Sequence, residues 1–303
     1  MNATQGWVPT IDEAVTDAPS LTEGIFGFGY DGSVVGMTNL VSNAGVVATD
    51  VTAVGTARHS PGACEYGGDK GIFGYGSTGS NVSMTNLVSN AGVVATDVTG
   101  VGTARRHIAA CSYGEDKGIF GFGYVSGAVG MTNLVSNAGV VATDVSAVGT
   151  ARYGPAACEY GEDKGIFGYG NDESSNLSMT NLVSNAGVVG SDVTGVGTDR
   201  HYLAACGYGG DKGIFGFGSA GSDVGMTNLV SNAGVVATDV TAVGTARHAP
   251  AATQYGGDKG IFGYGNDDNY VSMTNLVSNA GVVATDVTGV GTGRKYIAAC
   301  SFN

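Results

Sequence analysis

Basic residues are scarce in this chain. Its 303 residues include 13 Lys and Arg against 26 Asp and Glu, a formal net charge of −13. Nucleic-acid binders carry a basic patch or stripe. So few cations, spread along the whole length, make neither, and no nucleic-acid partner is expected. The same charge disfavours anionic membrane surfaces. No apolar run nears the ~18 residues of a membrane-spanning helix, so no membrane insertion is expected. The opening residues, MNATQGWVPTIDEA, lack the basic start and apolar run of a secretory signal peptide. Tryptophan occurs once, as Trp7, and proline only 5 times. Helical periodicity with capping residues is missing throughout, apart from Thr10-Ile11-Asp12-Glu13, which reads as a capping box.

Cysteines number five: Cys64, Cys111, Cys158, Cys206 and Cys300. Thr253 takes the sixth equivalent place, and no CxxC metal pattern occurs. Dispersed cysteines of this kind read as small buried hydrophobes. They fit synthesis in a reducing cytoplasm.

Glycine is abundant instead, at 54 residues, and it recurs periodically. GIFG begins at Gly24, Gly71, Gly118, Gly165, Gly213 and Gly260, and TNLVSNAGVV begins at Thr38, Thr85, Thr132, Thr180, Thr227 and Thr274. An arginine closes each unit: Arg58, Arg105, Arg152, Arg200, Arg247 and Arg294. Self-similarity at such a period marks a repeat architecture. Each unit holds four strand candidates. In the first these are B (residues 24–29), with Phe26 and Phe28 expected on one face and Ile25 on the other, C (37–43), D (46–52) and A (62–67). They are short, rich in Val, Thr, Phe and Tyr, and separated by Asn-Ala-Gly and Gly-x-Asp-Lys turns. Four antiparallel strands repeated six times predict an all-β, six-bladed β-propeller over residues 24–303, with 1–23 as a tail or docking segment. The last unit stops after its A strand and the first lacks one. Residues 297–302 are therefore expected to complete the blade that begins at Gly24, closing the ring and removing its free sheet edges. An open solenoid is the alternative.

The stretch TARHSPGACEYGGDKGIFGYG, residues 56–76, places an arginine, a small-residue strand, a Tyr-Gly turn and an aromatic strand ending in glycine. It resembles the Kelch repeat, and the resemblance runs over residues 24–303. Two departures are visible. Gly-Phe-Gly or Gly-Tyr-Gly replaces the usual double glycine, and valine replaces the usual tryptophan of the last strand. Arrays of this GIFGYG…TNLVSN kind are also similar to repeats in bacteriophage structural and tail-associated proteins. That second resemblance implies a virion setting.

With A innermost, as the resemblance implies, alternation places the A–B and C–D turns on one face and the B–C and D–A loops on the other. Difference between repeats is concentrated in the second set. The D–A loops carry His59, Arg106, His107, Tyr153, His201, Tyr202, His248, Lys295 and Tyr296; the B–C loops add Tyr30, Tyr124, Tyr270, Asp172 and Asp267. A rigid scaffold presenting varied Tyr, His and Asp on loops is how binding surfaces are built, so these fourteen residues are the candidate ligand face. Unconstrained drift of exposed loops is the bland alternative. Odd units also carry a proline three after the arginine (Pro61, Pro155, Pro250) where even units carry Ile108, Leu203 and Ile297. This gives a two-blade unit in three copies.

Chemistry is harder to find. An active site needs groups tuned apart, whereas Asp50, Asp97, Asp144, Asp192, Asp239 and Asp286 recur identically, eight residues before each arginine. They are expected to cap loops or pair with backbone and arginine. The repeats lack the Asp boxes of sialidases, and the cysteines do not fit a galactose-oxidase copper site. No metal, cofactor or catalytic residue is assigned. The expected function is non-catalytic recognition or adhesion, with a cell-surface glycan or protein receptor as partner. The alternatives are a structural or decoration protein contacting other virion proteins and, third, a glycan-active enzyme.

Overall fold

Each GIFG segment is a strand because its alternating apolar residues have two apolar neighbours to pack on. The computed structural model describes residues 22–302 apart from residues 53, 147 and 242. The expected tail or docking role of residues 1–23, with Trp7 and the capping box, thus lies outside the described residues except for Thr22 and Glu23.

The described residues form eighteen strands in six three-stranded antiparallel sheets. Blade 1 combines β1 (Glu23–Tyr30) and β2 (Val34–Val41) with β18 (Ala298–Phe302). Blade 2 holds β3 (Gly62–Tyr66), β4 (Lys70–Gly74) and β5 (Thr85–Val88), and blade 3 holds β6 (Ala109–Tyr113), β7 (Lys117–Gly121) and β8 (Thr132–Val135). Blade 4 holds β9 (Ala156–Tyr160), β10 (Lys164–Asn171) and β11 (Asn176–Val183). Blade 5 holds β12 (Ala204–Tyr208), β13 (Lys212–Gly216) and β14 (Thr227–Val230), and blade 6 holds β15 (Ala251–Tyr255), β16 (Lys259–Asn266) and β17 (Tyr270–Val277). The inner strands β3, β6, β9, β12, β15 and β18 neighbour one another in a closed circle. The last strand completes the first blade, with Glu23 opposite Phe302 and Gly27 opposite Ala298. This is the six-bladed propeller that the repeat predicts.

Segment D is not the regular fourth strand expected. In blade 1 it meets β2 at isolated bridges of Thr38 with Val51 and Val41 with Val47, with one backbone bond between them from Ala48 N–H to the Leu40 carbonyl at 2.8 Å. The cause is Asn39. Its buried side chain donates to the Ala48 carbonyl at 3.0 Å and to Asp50 Oδ1 at 2.9 Å, taking that carbonyl out of the ladder between the bridges. The same insertion occurs in every blade, as with Asn86 on Ala95 and Asp97. The outer edge is thereby irregular, which blunts edge-to-edge pairing.

Strand B also departs from simple alternation. Register shifts between Gly27 and Gly29, where Phe28 adopts a φ of 64°. One extra residue at a bulge reverses the side-chain order. Phe28 therefore joins Ile25 and Phe73 on the blade 2 side, while Phe26 packs with Tyr264 of blade 6. The expectation that Phe26 and Phe28 share a face is thus corrected. Edge-to-face pairs follow around the ring, each with centroids 5.2 Å apart, from Phe28–Phe73 through Tyr264–Phe26. Gly27 is needed because a Cβ there would lie 2.8 Å from the Phe73 ring.

The closing arginines staple neighbouring blades. Arg58 is fully buried, with its guanidinium 3.9 Å from the Phe28 ring centroid of blade 1. Its Nη2 donates to Asn86 Oδ1 at 2.6 Å and its Nη1 lies 3.9 Å from Asp97, both in blade 2. Burial lowers its pKa to about 10, which leaves it charged at neutral pH. Asp97 in turn accepts from the Thr56 hydroxyl at 2.6 Å. The repeated aspartates do pair with backbone and arginine, but each answers the arginine of the preceding unit rather than the one eight residues on. The last arginine, Arg294, closes the set on Asn39 and Asp50. All five cysteines are buried and free.

Candidate functional site

The arginine fixes the start of each inner strand, and the two residues after it are delivered to the mouth of the central channel. The first of the pair bridges to the B–C hairpin: His59 to Ser77, Arg106 to Tyr124, Tyr153 to Asn171, His201 to Ser219, His248 to Asn266 and Lys295 to Tyr30. The B–C and D–A loops therefore share one face, as strand alternation predicts.

The second of the pair turns inward. Ser60, His107, Gly154, Tyr202, Ala249 and Tyr296 all have φ between 52° and 61°. Each N–H donates to the carbonyl of its counterpart in the preceding unit, Ser60 to Tyr296 at 2.7 Å and His107 to Ser60 at 3.1 Å, and onward through Gly154, Tyr202 and Ala249 to Tyr296. The result is a closed circle of six hydrogen bonds around the axis. Six large side chains would collide there, but three fit. His107, Tyr202 and Tyr296 have mutual centroid distances of 4.9, 5.1 and 5.1 Å, and Ser60, Gly154 and Ala249 stand between them. A Cβ on Gly154 would lie 2.7 Å from the Tyr202 ring.

The alternation reverses at the other end of the channel. There Glu65, Glu159 and Gln254 come from β3, β9 and β15, while Ser112, Gly207 and Ser301 come from β6, β12 and β18. Between the ends run the Pro61, Ile108, Pro155, Leu203, Pro250 and Ile297 layer and a layer of alanines. The three-copy, two-blade pattern is thus a packing solution for the axis. What remains inside is little, with cavities of about 60 Å³ at each end and about 80 Å³ between them, each with room for about two waters. The channel does not hold a small-molecule ligand of ordinary size.

Ten of the fourteen residues expected on the ligand face are rings, and they form one connected network. Tyr30 meets His59 at 5.9 Å and Tyr270 at 6.0 Å; Tyr124 meets Tyr153 at 5.5 Å; Tyr153 meets His201 at 6.0 Å; His248 meets Tyr296 at 6.5 Å. The His107–Tyr202–Tyr296 triad joins these arms. Arg106 lies 5.0 Å over Tyr124, and Lys295 lies 5.2 Å over Tyr296. Burial and the Arg106 charge lower the His107 pKa to about 3, so its imidazole is neutral at physiological pH. Burial lowers His59 and His201 as well, and it raises Tyr202 and Tyr296. Tyr202 and Tyr296 are therefore packing residues of the channel plug as well as surface groups.

The two carboxylates of the expected set differ. Asp172 Oδ1 accepts from the Ser174 and Ser175 amides at 2.9 and 2.8 Å, so it caps its own turn and stays out of the network. Asp267 lines a cavity of about 650 Å³ between the B–C hairpins of blades 5 and 6. The cavity also holds Asp223, paired to His248 Nδ1 at 2.8 Å, and Asp268. Asp223 and Asp268 belong to the B–C loops that the sequence assigns to this face; sequence reasoning missed Glu65 and Glu159, whose alternation with small residues was the available signal. Among the described residues, no three His, Cys, Asp or Glu side chains group to hold a metal ion.

The opposite face repeats itself for a structural reason. Asp116 accepts from Lys117 Nζ at 2.6 Å and from Asn137 Nδ2 at 2.9 Å, tying the A–B turn to the C–D turn, and Ser136 Oγ accepts from the Ala138 and Val140 amides. These turns need their residues. Constancy of that face is thus no measure of drift on the other. No known protein family matches the chain, and no curated protein matches it either.

Proposed function

We propose that this propeller is a recognition module, carried on a virion, whose B–C and D–A loop face engages a cell-surface glycan or protein receptor. The observation that supports the reading is the ring network. Seven Tyr and His rings and two cations from the six D–A loops meet three B–C tyrosines on one face, held by backbone that the arginines and the hydrogen-bonded circle keep rigid. Rigid aromatics lose little entropy on contact and offer apolar area with a polar edge. The phage-like sequence resemblance suggests the virion setting. No residue of this face is assigned a catalytic role.

The test is a cell-surface and glycan binding screen. Wild type is compared with a variant in which Tyr30, His59, Tyr124, Tyr153 and Tyr270 are all serine. The plug residues are kept, so the ring stays closed. Loss of binding with unchanged unfolding supports the reading, and equal binding by the variant refutes it.

One observation favours a structural or decoration role instead. Val46, Val93, Val140, Val188, Val235 and Val282 project from the outer rim at 63–66% exposure. Large exposed apolar side chains, regularly spaced, suit burial against other virion proteins. Co-purification from intact particles, lost when these valines become serine, would establish that role.

A further inference from the structure

The B–C hairpins of adjacent blades are spanned by side chains at several junctions. Asn81 donates to Tyr124 and Val125 between blades 2 and 3, Asn176 donates to Ser219 between blades 4 and 5, and Tyr30 meets Tyr270 between blades 6 and 1. Blade 5 carries the short residues Ser219, Gly221 and Ser222 at this level. Only its Asp223 reaches across, to His248, and the space beside that pair is the cavity of about 650 Å³. A volume in that range suits a small ligand rather than a few waters.

Its walls define the ligand. The inner wall is aromatic, formed by His201, Tyr202 and Tyr296. Those rings are held by one another, with His201–Tyr202 at 4.3 Å and Tyr202–Tyr296 at 5.1 Å. The opposite rim carries carboxylate acceptors from Asp223, Asp267 and Asp268, and hydroxyls from Ser219 and Ser222. An aromatic plane suits the C–H face of a pyranose ring, and acceptors around its edge suit hydroxyl donors. Among the described residues no lysine or arginine lines the space, although Lys295 acts on Asp223 from outside it. An anionic sugar would meet carboxylates that repel it, in a chain of net charge −13.

We propose that this cleft between blades 5 and 6 is a binding site for an uncharged saccharide, and that it rejects sialylated and sulfated glycans. The inference rests on the recognition reading above and narrows it to one subsite. The full chain is assayed against neutral hexose oligosaccharides, their sialylated and sulfated counterparts, and simple organic ammonium ions. Two variants accompany it: Ser222→Trp, which fills the cleft, and Ser80→Trp, its counterpart on the blade 2 hairpin.

Neutral sugars should bind wild type and S80W alike, with S222W weaker by about tenfold or more, a loss of ~1.4 kcal/mol. Charged counterparts should bind wild type at least about tenfold more weakly than neutral ones. Preference for sialylated or sulfated glycans, binding of ammonium ions alone, or equal binding by S222W would overturn the proposal. Cell binding that the five-serine variant loses and S222W keeps would leave the recognition face standing and sink this cleft alone.

Discussion

Glu159 → Gln tests the electrostatics of the channel. Glu159 faces the axis at the channel end remote from the ring network, in the layer that also holds Glu65. Burial, then repulsion from Glu65 and Asp163, raises its pKa from 4.5 to about 8. The folded state therefore holds a proton that the unfolded chain has released. Stability from this group is fully present below pH 4.5 and is lost as pH rises toward about 8. Each pH unit is worth ~1.36 kcal/mol, so the whole shift sets a ceiling of ~5 kcal/mol. The carboxyl is partly solvent-accessible at the channel mouth, and screening there reduces the expected effect to ~2 kcal/mol. A glutamine keeps the shape and cannot ionise. The assay is urea unfolding of wild type and E159Q across that window at fixed ionic strength. The two should have nearly equal stability near pH 4.5, and E159Q should be the more stable by ~2 kcal/mol near pH 8. Because burial is the larger cause, added salt should change the difference little. If E159Q is less stable than wild type near pH 8, or if the two profiles run parallel, Glu159 ionises freely and the account of the axis is wrong.

Two further predictions concern the ring itself. His107 has the opposite sign. Its folded pKa of about 3 lies below the 6.5 of the free side chain, so stability is complete above pH 6.5 and falls as pH drops toward about 3. His107→Phe should flatten that acid limb by ~2 kcal/mol while shifting neutral stability by less than ~1.5 kcal/mol; an unchanged acid limb in unfolding titrations would refute it. Arg294→Met removes the staple between the last blade and the first. It should cost ~3–5 kcal/mol, because Asn39 and Asp50 lose their buried partner. It should also speed proteolysis at the C-terminal strand, and wild-type resistance there would count against an arginine-closed ring.

The sequence alone was enough for the number of blades, the identity of the closing strand and the face that gathers Tyr and His. Those follow from a fixed period, from alternation and from complementary partial units, all of which are local or arithmetic. The broken alternation at Phe28 needed the backbone, since a φ of 64° at a non-glycine residue leaves no mark in composition. The irregular D segment likewise depends on where Asn39 points. The repeated aspartates look like partners of the arginine eight residues on, yet Asp97 answers Arg58 and Asp50 answers Arg294. Sequence distance does not measure distance around a closed ring. The alternation of Ser60, His107, Gly154, Tyr202, Ala249 and Tyr296 was present in the sequence, but only the axis gives it meaning, because three large side chains fit where six do not. The cleft between blades 5 and 6 is likewise a tertiary outcome: short side chains on one hairpin leave a space whose walls come from that hairpin and four other loops.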